Sequence, residues 1–531
     1  MKRNKLLFCA ASAVLTVSML SAACGGPSTE KDGKTHFDWY VNISAFKDYE
    51  NTLVDQVLDE KFEGMVIDFR DGSSGDDLLG MIMDRNLPDI VTVEVGKTEL
   101  IQTMVESGQV YSLDELCEQY GVENFIPEDM RTLRGFDGKM YGVVSHFWNT
   151  NTPKEQLLSS NIMIARKDIL DALNIDPAEI TSLGALEDAC AKYMASDLKS
   201  NDVVAYFDST KGESWREYMA VDREYDESNL NAGDRGVESP KAGDFREWNA
   251  TDETREIIAR LNRFKTKGYL TENVLSGRLD EHTMLATSGA FIANINWPNC
   301  YVRLQESIRG GTEWVEVGPI RNDENDEPML TPWTMNGYLE TFVSKNCRNP
   351  EKAIKLLSFL YSDEGQVLSK FGIKGKTYDV DENGQYYYLK YYYDHTEEEM
   401  MREVGLGWLS VLLERTDFLY SVQAEPDDPA AQAVYNFLHY FSQWAYDDRL
   451  FNNLNPDSGD LAVLNNQIWG QFNWTKMVNA GSEAEAKKMF DSTWETMVNM
   501  KYQKCKTFMD ERFHSKKDAL GLDYAWPPFQ K

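Results

Sequence analysis

Little in this sequence offers a catalyst. Six histidines are spread over 531 residues, at His36, His146, His282, His395, His439 and His514, without ligand-like spacing. Neither HExxH nor GxSxG occurs, which removes the zinc-protease and nucleophile-elbow patterns. Carboxylates are so abundant that no pair stands out as an acid/base couple. Positive charge is the minority sign, with 54 Lys and Arg against 87 Asp and Glu and a formal net charge of -33. Nucleic-acid binding draws its affinity from Lys and Arg meeting phosphates, so it is not expected here. The acidity reads as a solubility device. Cysteine is sparse as well. Beyond Cys9 and Cys24 there are five, Cys117, Cys190, Cys300, Cys347 and Cys505. Their odd number and wide spacing give neither a disulfide framework nor a zinc pattern, and they read as small buried apolar groups. Long apolar runs are missing after Leu20; none approaches the roughly 20 residues of a spanning helix.

Two motifs are present only in part. GIKGKT, from Gly372 to Thr377, lacks the glycine that a phosphate loop needs five residues before its second glycine; Lys370 stands there. DVDENG, from Asp379 to Gly384, opens like a calcium loop but places Lys390 where a bidentate Glu belongs. Gly375 is expected in a tight turn, and Asp381 to Gly384 in a hairpin turn with Asn-Gly at positive φ. No metal, no cofactor and no catalytic residue are expected.

What is present begins at the N-terminus. Lys2, Arg3 and Lys5 precede a 15-residue apolar run, Leu6 to Leu20, which is too short to span a bilayer and fits a secretory signal. LSAAC then resembles the lipobox of bacterial lipoproteins, in which cleavage precedes an acylated cysteine. Ser21 occupies the place of the usual large aliphatic residue. Residues 1–23 are expected to be a signal peptide, Cys24 the lipidated residue, and 24–35 a polar tether. Stable membrane anchoring takes more than one acyl chain, and lipoprotein cysteines carry two or three. Loss of Lys2, Arg3 and Lys5 with the signal would take the net charge to -36.

The body alternates strand and helix patterns. HFDWYV is a strand; Leu53, Val54, Val57, Leu58 and Phe62 follow helical spacing; MVIDF is a second strand. A helix ending before Pro88 and a strand through Ile90, Val91, Val93 and Val95 follow. The alternation predicts an α/β lobe with a largely parallel sheet. IMIARKDILDALNID reads as strand then helix, and AFIANINWPNC as a strand ending in an aromatic turn. Residues 222–250 read as a surface insertion. Asn349 should cap a helix opened by Pro350. Beyond about 395 the pattern is mostly helical.

Aromatic residues make up 12% of the chain. Flat aromatic faces suit the apolar faces of sugars, while neighbouring polar groups take hydroxyls. The strongest signal is NPEKAIKLLSFLYSDEGQ followed by FGIKGKTYDVDENGQYYYL. It resembles extracellular solute-binding lipoproteins of carbohydrate ABC importers, the family 1-type extracellular solute-binding proteins. LPDIVTV, DGKMYGV, IMIARKDILDALNI and TSGAFIANINW are similar to further segments of that family.

The resemblance implies an α/β, two-lobe periplasmic-binding-protein-like fold with a hinge, here with an extra helical C-terminal portion. Lobe one is expected at 36–145 plus 338–395, and lobe two at 146–337 plus 396–531. It implies no enzyme but a monomeric receptor on the extracytoplasmic face of the cell membrane. That receptor would bind a carbohydrate-like ligand, most readily an oligosaccharide, and deliver it to the transmembrane subunits of an ABC permease. By position, Trp148, Trp215, Trp297 and Trp333 are the expected aromatic contacts. Asn149 and Asn296 stand beside two of them, and Asn42 and Glu94 sit at strand ends of lobe one. Two rivals stay open, a lipoprotein glycoside hydrolase and a surface glycan-binding lipoprotein of the starch-utilisation type.

Overall fold

The computed structural model describes residues 30–520 apart from 32, 45–47, 74–76, 149–156, 213, 216–235, 240–243, 248–251, 322–324, 326–327, 329, 331, 333–336, 446–454 and 457–458. Cys24, Asn149, Trp333 and most of the 222–250 insertion lie outside the described residues. The strands are β1 (Glu30–Lys31), β2 (Lys34–Val41), β3 (Met65–Asp71), β4 (Ile90–Glu94) and β5 (Gly142–Val144), then β6 (Asn161–Arg166) and β7 (Val204–Asp208). They continue with a hairpin in the insertion, β8 (Gly236–Ser239) and β9 (Asp244–Glu247), then β10 (Ala290–Asn296), β11 (Trp314–Glu316), β12 (Leu339–Val343), β13 (Tyr378–Val380) and β14 (Tyr386–Tyr388).

The first sheet runs β3-β2-β4-β12-β5, with β1 beside the start of β2. Side chains alternate across it with the period of two that a pleated strand imposes. Phe37, Trp39 and Val41 enter one core, under helices Leu53–Lys61 and Pro350–Tyr361, while Tyr40 enters the other with Val91, Val93 and Phe342. Burial on both faces is why these strands read as near-continuous apolar runs. The pairing is mixed, not largely parallel. β2 is parallel to β3 and β4, but β12 is antiparallel to both β4 and β5. The reason is topological: β12 enters from the second lobe after a long excursion, with no crossover helix to set its direction. β1 and the start of β2 also bring the sheet into the stretch expected to be tether.

The second sheet runs β11-β6-β10-β7, with only β7 and β10 parallel. Its core continues into the helix Pro429–Ser442 and on to Phe490. One lobe boundary differs from expectation. Met400, Val404, Leu406, Trp408 and Leu412 are buried in the first core, and Val54 N–H donates to Val404 O at 2.9 Å. Residues 397–413 therefore belong to lobe one, and the chain leaves it near Glu414. Apolar side chains had a ready surface there in helix Leu53–Lys61 and β12. The C-terminal helix Tyr502–Leu520 packs on helix Glu128–Arg134 of lobe one as well as on Gly459–Trp469 and Glu483–Asn499, so it spans both lobes.

The expected cap and turns mostly hold. Lys352 N–H donates to Asn349 Oδ1 at 3.1 Å, and Pro350 opens the helix. Gly375 sits in a turn at φ +76°. In the β13–β14 hairpin only Gly384, at φ +83°, takes positive φ; Asp381 Oδ1 accepts from the amides of Asn383 and Gln385 at 2.8 Å each and shapes the rest. The five cysteines are buried and form no disulfide among the described residues. Among the described residues no cluster of His, Cys, Asp or Glu has metal-site geometry, and no helix is long and apolar enough to cross a membrane.

Candidate functional site

The connections fix which sheet edges meet. The first crossing leaves the end of β5 and enters the start of β6; the second leaves the end of β11 and enters the start of β12. On lobe one that edge carries Asn42, Glu94, Ser145 and Leu339, because Leu339 pairs with Glu94. On lobe two it carries Asn296 and Asn161, which pair, together with Asp208 at the end of β7. The three crossings are tied together. His146 N–H donates to Glu414 O at 2.8 Å, joining the first to the third. Ser159 and Pro332 form a bridge between the first and second.

A cavity of about 300 Å³ lies where the lobes meet beside the third crossing. Lobe two supplies Trp297, Tyr301 and part of helix Pro429–Ser442; lobe one supplies Lys370, Met400 and Leu406. Tyr388, Tyr392, Tyr393 and Tyr420 complete it. Tyr388 and Tyr392 stack at 3.8 Å, and Trp297 meets Tyr301 edge-on at 5.6 Å. Burial pushes the phenols of Tyr301, Tyr388, Tyr392 and Tyr420 up, so they stay protonated; Tyr388 donates to Lys370 O at 3.1 Å and Tyr301 accepts from Gln305 Nε2 at 3.2 Å, each oxygen keeping part of its hydrogen-bonding capacity. The wall is therefore apolar faces carrying neutral hydrogen-bonding tips. Small-ligand sites favour such interfaces.

The lining residue Lys370 is paired with a carboxylate behind the wall, Glu414. Lys370 Nζ lies 3.2 Å from Glu414 Oε2, and Glu414 is 3% exposed. Burial raises the Glu414 carboxyl, but Lys370 and His146 outweigh it and hold the group below its ordinary range. The His146 imidazole is pushed down by burial, with Glu414 pulling back and Lys370 adding to the depression.

The expected contacts divide. Trp297 lines the cavity, 7% exposed. It begins the helix Trp297–Arg309, not a turn, because Pro298 is tolerated in a first helical turn. Asn296 precedes it, its N–H donating to Ser209 Oγ at 3.1 Å. Trp148 is buried and stacks flat on Tyr420 at 5.7 Å, joining the first and third crossings just behind the cavity wall. Trp215 is corrected to a core residue. It is fully buried, donates Nε1–H to Tyr206 Oη at 2.6 Å and packs edge-on against Phe264 at 5.1 Å. Asn42 and Glu94 sit on the lobe-one edge outside the cavity lining. Asn42 is buried with Nδ2 3.4 Å from Gly72 O, and Glu94 is partly exposed 3.9 Å from Lys97. The tyrosines were missed. Their signal was QYYYLKYYYD, where six of the eight residues from Tyr386 to Tyr393 are tyrosine.

No protein-family model matches the chain, and no curated protein matches it in sequence. Solved structures do match in shape along nearly the whole length. The S. pneumoniae ABC-transporter substrate-binding protein FusA, in complex with kestose, aligns with a TM-score of 0.63 at 13% identity, covering 91% of this chain and 99% of its own. The fold is the two-lobe solute-binding fold. The alginate-binding protein AlgQ2 aligns at 0.58 and 15% identity over 90% of this chain and 98% of its own. The N-glycan transport solute-binding protein NgtS of Streptococcus pneumoniae aligns at 0.57 and 17% over 91% and 100%.

Proposed function

We propose that this chain is an extracytoplasmic, lipid-anchored oligosaccharide receptor that hands its ligand to an ABC permease and does no chemistry on it. One observation carries the reading: an aromatic cavity walled by both lobes, with Trp297 at a strand end, in the two-lobe solute-binding fold. Closure of two lobes on a ligand is an established switching motion, and it would bury the sugar between Trp297 and the tyrosines. Among the described residues that line the cavity Glu397 is the one carboxylate, whereas glycoside hydrolysis ordinarily uses two. The anchor rests on LSAAC at the N-terminus, and the permease partner on the fold and the need to keep a capture protein near the membrane.

A thermal-shift screen against a glycan panel tests the reading, because a ligand held only by the folded state raises apparent stability. The expected result is a rise with at least one oligosaccharide, recovered unchanged after incubation. No response across the panel, or cleavage of the glycan, contradicts it. Labelling with an alkyne fatty acid tests Cys24: the label should appear in the wild type and disappear in Cys24→Ala.

A further inference from the structure

We propose that the cavity accepts an uncharged pyranose unit and excludes uronic and other acidic sugars. This rests on the receptor reading above and narrows it. Besides the tyrosine phenols, three ionisable side chains line the cavity among the described residues: Lys370, Glu397 and His439. The Lys370 ammonium is already committed to Glu414, which also accepts from Thr416 Oγ1 at 3.1 Å and lies 3.8 Å from His146 Nε2. A sugar carboxylate could recruit Lys370 only by stripping the partner from a carboxylate that is 3% exposed, and an unpaired buried charge is strongly unfavourable. Glu397 stands exposed at the rim and would repel the newcomer. His439 holds the Tyr435 carbonyl through Nδ1 at 2.9 Å. Arg309, whose field reaches Tyr301 and Tyr393, is held by Asp428 at 3.0 Å. No arginine lines the cavity among the described residues. Around all of this the chain carries a net charge of -33, which disfavours approach of a polyanion.

What the cavity offers instead is matched to hydroxyls. The stacked pair Tyr388–Tyr392 and the Trp297–Tyr301 pair present flat apolar faces; the Trp297 indole N–H can only donate, while the Tyr388 oxygen, its proton given to Lys370 O at 3.1 Å, can accept. At about 300 Å³ the space is at the small end of ligand pockets, which run from about 300 to 1,000 Å³, so it fits one end of a glycan.

The test uses the full mature chain and two glycan panels, one neutral and one of oligo-uronates. The best neutral binder is then oxidised chemically at its C6 primary hydroxyls, giving a uronate matched in linkage and length. Calorimetry is expected to show binding by neutral glycans only, with the oxidised form at least 100-fold weaker. In Glu397→Gln the ratio of neutral to oxidised affinity should narrow at least fivefold. Equal or tighter binding of the oxidised form, hits confined to the uronate panel, or an unchanged ratio in Glu397→Gln overturns the exclusion while leaving oligosaccharide capture standing. Failure of both panels removes the capture reading and the exclusion together.

Discussion

Two tryptophans leave neighbouring parallel strands of one sheet and meet opposite fates. β7 and β10 run side by side, with Asp208 opposite Asn294, and each is followed within seven residues by a Trp. After β7 the chain turns at Gly212, at φ +90°, where any Cβ would sit 2.4 Å from Leu261. That close turn folds Trp215 back under the sheet, where Tyr206 Oη takes its N–H. The same phenol donates to Asp208 at 2.6 Å, and Asp208 further accepts from Thr210 and Asn294. After β10 the chain continues straight into a helix and leaves Trp297 on the cavity wall. The lesson is that residue type at a strand end does not decide function. The backbone that follows, and a polar partner waiting in the core, do.

Trp215→Ala removes a fully buried aromatic, and urea unfolding should register a loss of about 3–5 kcal/mol, with the folded fraction binding glycan as before. A large loss of affinity at unchanged stability would reverse the assignment. Lobe one supplies a contrasting buried polar group. Glu340, on the interior strand β12 between β4 and β5, occupies space that a side chain at Gly142 would fill. Burial pushes its carboxyl up to about 7, with Arg134 pulling part of the way back. Because the folded value exceeds the ordinary 4.5, the folded state holds the extra proton between those values. Stability should therefore fall as pH rises from about 4.5 to about 7 and level off above, by an amount on the order of 3 kcal/mol. Glu340→Gln should flatten that part of the profile; an identical slope in the variant refutes the assignment. Smallest is Tyr206→Phe, which deprives both Trp215 and Asp208 of a buried partner and should cost about 1–3 kcal/mol in the same unfolding assay. No measurable change would show that the hydrogen bonds do not hold Trp215 in place.

Much of the fold was legible because its signals are local. The Asn349–Pro350 cap, the strand alternation of HFDWYV and the turn at Asp381 to Gly384 each depend on a few adjacent residues. Strand direction was less so, since β12 takes its sense from a partner reached after an excursion through lobe two. The boundary at 396 was misplaced for a similar reason: helical spacing shows that Met400 and Leu412 are apolar, not which lobe receives them. Trp297 after a small-residue strand and Trp215 beside a glycine turn looked equivalent in sequence; the structure puts the first on the cavity wall and the second in the core. The tyrosines were visible as composition only. Their convergence on one cavity depends on packing of helix Pro429–Ser442 against residues near 300 and 390, which no local pattern encodes.

The claim that this cavity is the sugar site is met most directly by calorimetry of Trp297→Ala with the best glycan from the screen. At least a tenfold loss of affinity, about 1.4 kcal/mol or more, is expected in a protein that still unfolds cooperatively. Wild-type affinity in that variant would contradict it.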